Sequence, residues 1–169
     1  NGFWGSIWQA GGAPAIDADG NIFVVTGNGT FHGRDYSNTF LKLSIRGNSL
    51  RAVDSFTPFD QKILDEQDID VGASGPILLP DQPGSHPHLV LGAGKSGTIY
   101  VVDRDRMGRF VEGGNDRQIV QVIRGAISEN YATPAYWNGH VYFGSLNDSL
   151  KSFSVANGRL SDAAVSKSA

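Results

Sequence analysis

The spacing of three glycines in this chain matches the motif of a dinucleotide-binding turn. An apolar run is followed by the pattern G-x-G-x-x-G, at Gly92, Gly94 and Gly97. That motif needs a helix after its glycines, so that unpaired N–H groups meet the pyrophosphate. Residues 98–102 are instead Thr-Ile-Tyr-Val-Val, which favours an extended strand. A P-loop is also excluded, because Leu89 stands where that motif needs glycine before Lys95. The segment therefore predicts a β-hairpin with glycines in its turn.

A calcium loop is the second chemistry to weigh. The order D-x-D-G-N imitates half of such a loop, at Asp17, Asp19 and Asn21. The downstream glutamate is missing, since position 28 holds Asn28, and strand-like residues flank the segment. We expect a hairpin turn in which Gly20 takes a positive φ, and no metal site.

The four histidines do not have the spacing of metal ligands. His86 and His88 flank Pro87, and we expect no carboxylate near them, which argues against a zinc pair. His32 lies in a loop with Asn28, Arg34 and Asp35, where it combines a general base with a charged binder. Side chains of alternating charge follow a predicted strand and predict a solvent-facing turn with weak ion pairs, at Asp103, Arg104, Asp105, Arg106 and Arg109.

Composition limits the classes of protein that fit. The chain has 169 residues, 40% of them hydrophobic, with 22 glycines and 7 prolines spread along it, which indicates one domain of short elements and many turns. A net charge of -3 without a basic block gives no footprint for nucleic acid. No apolar run is long enough to span a bilayer, and the absence of cysteine excludes disulfides and thiolate metal sites. Because the chain starts at Asn1, we expect a processed or partial chain.

The elements that would position these residues repeat at intervals of about 60 residues. Each repeat starts with a small residue, a proline and an apolar pair, at Pro14, Pro76 and Pro134. Further apolar runs separated by turns follow each proline, at 21–27, 39–45 and 50–56, at 88–94, 98–103 and 118–123, and at 140–144 and 149–155. Four short strands per repeat predict an all-β fold of four-stranded antiparallel propeller blades. The predicted divisions are a strand of a preceding blade at 1–9, blade one at 10–60, blade two at 61–125 and an incomplete blade three at 126–169.

Two other features bear on the architecture. Residues 59–70 could form a helical turn or two, but their many aspartates favour a solvated acidic loop. The tryptophans could stack on a planar ligand, although packing between blades is the more usual role, at Trp4, Trp8 and Trp137. Trp137 precedes Asn138-Gly139, a pair typical of a type I′ hairpin turn.

These repeats resemble a known family, the quinoprotein-like β-propellers that include the pyrroloquinoline quinone (PQQ) dehydrogenases and their non-catalytic relatives. The resemblance rests on GGAPAIDADGNIFVVTGNGTF at 11–31, DIDVGASGPILLPDQ at 68–82, LVLGAGKSGTIYVVDRDRMG at 89–108 and YATPAYWNGHVYFGSLNDSLKSFSVANGRL at 131–160. It is strongest for a bacterial secreted or periplasmic branch. It implies a partial ring of about three blades, a periplasmic or extracellular location, and further blades or other copies of the chain as partners.

The resemblance also implies where a ligand would lie. In family enzymes, the loops between second and third strands share the cofactor-binding face with the linkers between blades. The residues of this chain that fall on that face are Asn28, His32, Asp68, Asp70, Lys95, Glu129, Asn130, Asn147 and Asp148, and the cofactor-binding candidates among them are Asn28, His32, Asp70, Lys95, Asn130 and Asn147. The resemblance implies PQQ and calcium as the possible cofactors.

Two family features are missing from this chain. Its blade ends lack the tryptophan that stacks over the neighbouring turn, and it has no cysteine for the disulfide that covers the quinone. We therefore expect a non-catalytic module that acts as a scaffold or binding surface, with no assigned catalytic residue or metal ligand. A piece of a PQQ-dependent dehydrogenase and a glycan-binding propeller are the alternatives.

Overall fold

The chain folds into three antiparallel β-sheets, each a meander of consecutive strands. The structure is a computed structural model that describes residues 5–32 and 35–168. Sheet 1 contains β1 to β4, at Ala15–Ile16, Ile22–Val25, Phe40–Arg46 and Ser49–Phe56. Sheet 2 contains β5 to β8, at Ile77–Leu78, Leu89–Ala93, Ile99–Asp103 and Gln121–Ile123. The predicted all-β, propeller-like fold of four-stranded blades is confirmed.

Sheet 3 has a divided outer edge. It contains β9 to β11, at Ala135–Trp137, His140–Phe143 and Lys151–Ala156. Two short strands, Arg159–Leu160 (β12) and Ser166–Lys167 (β13), both pair with β11 at different points. The sequence predicts an incomplete fourth strand here, and these two pieces share the place of one continuous strand.

The three sheets stack face to face, with sheet 2 in the middle. Alternate residues of β6 and β7 point to opposite faces, as strand geometry requires. One face contributes Val90, Tyr100 and Val102 to a core shared with sheet 1. The other face contributes its residues to a core shared with sheet 3, at Leu89, Leu91, Ala93, Ile99 and Val101. Because both faces of sheet 2 are buried, its strands have nearly continuous apolar sequences.

The outer face of sheet 1 is apolar and has no sheet against it among the described residues. Register places a row of aliphatic side chains on this face, of which Val24 and Leu41 are buried and the others are half-buried or exposed, at Ile16, Ile22, Leu43, Ile45 and Leu50. Ile16 and Ile45 are each 63% exposed, and Leu50 is 54% exposed. The outer face of sheet 3 is more polar, because Trp137, His140 and Tyr142 share it with serines. We call these surfaces the first and third outer faces.

One backbone contact recurs in all three repeats. The segment that precedes each first strand crosses the end of the second strand, where its carbonyl accepts a hydrogen bond. The pairs are Gly27 N–H to Ser6 O at 2.8 Å, Lys95 N–H to Asp70 O at 2.9 Å and Leu146 N–H to Glu129 O at 2.8 Å. The linkers and the loops between second and third strands therefore share one surface, which we call the loop face.

One prediction for the linkers is wrong. Residues 59–70 contain a six-residue helix, α1 (Gln61–Glu66), and are followed by a 3-10 turn at Val71–Ala73. The helix forms because Leu64 is buried in the core between sheets 1 and 2, which outweighs the exposure of its acidic neighbours. Residues 5–9 pair with no described strand and cross the end of β2 as a linker does, so a strand of a preceding blade at 1–9 stays a prediction. Residues 1–4 lie outside the described part of the chain.

Neither tryptophan of the described residues packs between two of the three sheets, so packing between blades stays a prediction. Trp137 is 69% exposed on the third outer face, where no sheet packs on it. The turn beside it is as predicted, since Asn138 and Gly139 have φ values of 47° and 77°. Trp8 is 47% exposed and lies on the loop face, while Trp4 is outside the described residues. Across 5–32 and 35–168, no helix is both long and apolar enough to cross a membrane.

Candidate functional site

The loop face brings together three of the predicted site residues around one ammonium group. Lys95 Nζ lies 2.5 Å from Asp70 Oδ2 and 3.0 Å from Asp68 Oδ2. It also donates a hydrogen bond to the backbone oxygen of Asp68 at 2.9 Å. Asn28 joins the group, because its N–H donates to Asp70 Oδ1 at 2.6 Å and its side-chain amide donates to Asp68 at 3.0 Å. Together with Trp8, these residues form what we call the lysine cluster.

Trp8 covers one side of the lysine cluster. Lys95 Nζ lies 5.1 Å from the centroid of the indole ring, within the range of a cation–π interaction. Gly27 makes this approach possible, since a Cβ there would lie 2.5 Å from Asp70 Oδ1 and 2.9 Å from Trp8 Nε1. The indole ring of Trp8 therefore covers the charged side chain of Lys95 from the second repeat.

Hairpin geometry explains how Lys95 reaches the cluster. Sheet 2 turns from β6 to β7 through residues 94–98, and Gly97 takes a φ of 66°. Gly94 is needed for a different reason, because an added Cβ would clash with the backbone of the linker, including Val71 O at 2.6 Å. Strand β7 follows this turn, so the prediction of a hairpin in place of a phosphate loop is confirmed.

The electrostatics of the cluster hold Lys95 in its charged form. Burial by itself would lower the pKa of Lys95, but the hydrogen bonds to Asp70 and Asp68 raise it above 10.5. The hydrogen bond from Lys95 lowers the pKa of the Asp68 carboxyl below 3.8. An ammonium that stays protonated at neutral pH is neither a nucleophile nor a general base. The cluster is therefore suited to holding the linker and to binding, and not to proton transfer.

Asn130 occupies the corresponding place at the next linker. It is fully buried, and its side-chain amide donates to Ala93 O at 3.0 Å and to Ala132 O at 2.9 Å. Its backbone N–H donates to Gly94 O at 3.2 Å. These contacts join the linker to the end of β6, so Asn130 is a structural residue in this chain.

A shallow cleft lies next to the lysine cluster, between the loops of sheets 2 and 3. Its volume is about 380 Å³, and it is lined by Lys95, Ser96, Ser128, Glu129, Leu146 and Asn147. Asn147 is an exposed turn residue with a φ of 53°. Asp148 forms an ion pair with Lys151, with 2.7 Å between Oδ2 and Nζ. It is not among the residues that line this cleft.

His32 does not join the lysine cluster. It is exposed and lines a separate cleft of about 660 Å³, together with residues of α1 and of the loop between β7 and β8. Arg34, its predicted neighbour, lies outside the described residues. The predicted loop-face set therefore divides into a lysine cluster, a buried asparagine, a shallow cleft and a second cleft with His32.

Two residues of the site were not singled out by sequence reasoning. Asn38 links the repeats, because its amide donates to Asn28 Oδ1 at 2.8 Å and its Oδ1 accepts the N–H of Val71 at 2.9 Å. Tyr131 donates a hydrogen bond to Glu129 at 2.8 Å, which raises the pKa of the phenol. A polar residue just before a strand is the signal that would have indicated Asn38.

A calcium-bound quinone does not fit the lysine cluster. Calcium takes six to eight oxygen ligands, whereas the carboxylates of Asp68 and Asp70 are already paired with the Lys95 ammonium and with Asn28. Over the described ranges, no three His, Asp or Glu side chains are grouped so that they could hold a metal ion. A divalent cation would have to displace the ammonium group from the position where the two carboxylates meet.

The other motifs are structural. Asp17 Oδ1 accepts the backbone N–H groups of Asp19 and Asn21, and Gly20 has a φ of 80°, which confirms the predicted hairpin turn. The expectation that no carboxylate lies near the paired histidines is wrong. His86 Nδ1 lies 2.7 Å from Asp103, and His88 Nδ1 lies 2.7 Å from Asp105, because the β6–β7 hairpin brings these residues together.

The predicted solvent-facing turn holds for Asp105, Arg106 and Arg109, which are exposed, but is wrong for Arg104. The side chain of Arg104 is only 13% exposed and lies 3.6 Å from Asp17 and 3.5 Å from Asp81. Met107 is fully buried, and its N–H donates to Asp54 at 2.9 Å. The segment packs against sheet 1, since both Asp17 and Asp54 belong to the first repeat.

Comparison with family models, with curated proteins and with solved structures finds no match to this chain. Its function therefore has to be inferred from its own residues.

Proposed function

We propose that this chain is a non-catalytic β-propeller-like module of the PQQ-like repeat type that acts as a scaffold and binding surface. The observation that carries the proposal is the first outer face. Sheet 2 is covered on both faces by apolar cores, whereas sheet 1 exposes a row of aliphatic side chains that includes Ile16, Ile45 and Leu50. A sheet face of this composition is typical of a surface that another sheet covers.

The first outer face would contact a further blade of the parent protein or another copy of the chain. Each stacked pair in the chain buries one aliphatic or aromatic face against another, and the same packing would extend to a fourth sheet. The isolated chain is then expected to self-associate in a manner that depends on this face. The third outer face, with Trp137 and several serines, would present a more polar surface.

The chemistry of the loop face supports a binding role over a catalytic one. Lys95 is held protonated between two carboxylates, and Asp70 is 1% exposed, so it is not available to a substrate. The shallow cleft beside Lys95 offers hydroxyl, amide and carboxylate groups for hydrogen bonds. From the family resemblance alone, we also propose a periplasmic or extracellular location, which fractionation of cells that carry the parent gene would test.

Titration of the chain with PQQ and Ca²⁺, followed by absorbance and calorimetry, tests the non-catalytic assignment. We expect no saturable binding, because the carboxylates of the lysine cluster are already paired. Saturable binding that is lost in Asp70→Asn would contradict the proposal and support the alternative, a part of a PQQ-dependent dehydrogenase. Reproducible hits on a glycan array would instead support a glycan-binding propeller.

A further inference from the structure

The 660 Å³ cleft that contains His32 is formed by three separate segments and has a mainly acidic polar lining. Three segments form it, namely the loop between β2 and β3, helix α1 and the long loop between β7 and β8. Its volume lies within the range of small-molecule sites. The blade-stacking proposal uses none of its residues.

Aromatic rings form one wall of this cleft. Phe31 and Phe110 meet edge to face, with ring centroids 4.9 Å apart. Phe59 and Ile63 add further apolar surface, and Ile63 is 52% exposed. An aromatic wall that is open to solvent offers both an apolar contact and a negative ring face to a cation.

Carboxylates dominate the polar lining. The described lining residues include four acidic groups, at Asp60, Asp65, Glu66 and Glu112, against the single cation of Lys62. Lys62 already pairs with Glu66, and Asp65 accepts the N–H of Gly29 at 2.8 Å. Asp60 and Glu112 are therefore the carboxylates left to meet a ligand.

The carboxylate of Asp60 lacks a hydrogen-bond donor at one of its oxygens. Its Oδ1 is buried and receives no hydrogen bond from any described residue. Although Asp60 stands at the N-terminus of α1, its side chain does not cap the helix. A buried carboxylate oxygen without a donor is costly, and such atoms in native proteins usually have a reason. The half-buried carboxylate also lines the cleft, so a cationic N–H group bound there would offset the cost of this charge.

We propose that this cleft binds a small organic cation, with an ammonium group on an aromatic or short alkyl body. The ammonium would donate to Asp60 while its body packs against Phe31, Phe59 and Phe110. Glu112, at the exposed rim, would add attraction at longer range. Anions of the same size would be excluded, because the described lining carries an excess of negative charge.

Calorimetry and amide NMR spectra with 2-phenylethylamine as the probe test this proposal. We expect saturable binding, with shifts confined to the three segments that line the cleft. The anion 3-phenylpropionate, which has a ring and chain of similar size, should not bind. Asp60→Asn should weaken binding of the amine by about tenfold or more, since a charge-assisted hydrogen bond is lost. Phe110→Ala should weaken it by about fivefold, since part of the aromatic wall is lost.

Control variants make the outcome decisive. Asp19→Asn changes an exposed carboxylate in the β1–β2 turn that lines neither cleft, and should leave the affinity for the amine unchanged. Glu112→Gln, at an exposed position, should weaken binding by about twofold without an effect on folding. The proposal is overturned if the amine does not saturate, if the anion binds equally well, or if folded Asp60→Asn keeps the wild-type affinity.

Discussion

Two junctions join the sheets, one between sheets 1 and 2 and the other between sheets 2 and 3. Both contain the same linker contact, but they differ in the charge of the linker side chain and in the composition of the core behind it. At the first junction, the linker carries Asp70 and meets Lys95, and the core behind it contains the ring cluster of Phe40, Phe56 and Tyr100. At the second junction, the linker carries the neutral amide of Asn130, and the core behind it is mostly aliphatic. The repeat therefore conserves the backbone path while charge and packing vary around it.

The two junctions are therefore sensitive to different substitutions. The first junction depends on a buried ion pair and on close contact between two backbones, so single changes at Gly94 or Asp70 should loosen it. The second junction depends on amide hydrogen bonds and aliphatic burial, so the equivalent changes should have small effects.

The largest effect is expected from glycine substitution at the ends of the second strands. In Gly94→Ala, the new Cβ would overlap backbone atoms of residues 70 and 71, which cannot rotate away. We expect a loss of about 4 kcal/mol in the free energy of unfolding. Gly144→Ala is the matched control, since a Cβ there meets only Leu150 Cδ1 at 4.0 Å, and its effect should stay within about 0.5 kcal/mol. Urea denaturation followed by tryptophan fluorescence measures both, and equal losses would show that the junctions are alike.

A smaller effect is expected from the charged groups. Asp70→Ala removes the partner of Lys95 and the acceptor for Asn28 N–H, and should cost about 3 kcal/mol of unfolding free energy. Asp70→Asn keeps an acceptor and should cost less than Asp70→Ala. The control is Asp148→Ala, which breaks the ion pair with Lys151 near the second junction and should cost about 1 kcal/mol. The same denaturation experiment decides, and a larger loss for Asp148→Ala would contradict the comparison.

The smallest effect is a pH dependence of the first junction. The pKa of Lys95 is raised above its unfolded value of 10.5, so its stabilisation is complete below that pH and is lost as pH rises through the folded pKa. The pKa of Asp68 is lowered below 3.8, so its stabilisation is present above that pH and is lost as pH falls through the folded pKa. Unfolding free energies measured across pH for the wild type and Lys95→Met should differ most at intermediate pH. Parallel curves would show that Lys95 contributes nothing to this dependence.

Much of the fold was predictable from local sequence. The repeated prolines, the alternating and continuous apolar runs, and turn pairs such as Asn138-Gly139 each act through nearby backbone preferences. Helix α1 was missed because its formation depends on burial of Leu64 in a core built from distant strands. The packing of Trp137 between blades stays a prediction, since it requires a further sheet on the third outer face.

The site was predictable as a surface but not as a set of contacts. The topology indicates that Asn28, Asp70 and Lys95 share the loop face, because linkers and second-to-third-strand loops meet there. It does not indicate that Lys95 lies between two aspartates while His32 lines another cleft, since side-chain reach decides this. Trp8 could not be placed over Lys95 from sequence, because residues 5–9 have no strand or helix pattern that fixes their path.

The two outer faces offer the most direct test of the scaffold proposal. Sedimentation velocity over a range of protein concentrations should show that the chain self-associates. Ile45→Lys places a charge in the first outer face and should return the chain to a monomer, whereas Trp137→Lys on the third outer face should weaken association less. A wild-type chain that remains a monomer at every concentration, or an Ile45→Lys variant that associates as strongly as wild type, would contradict the proposal.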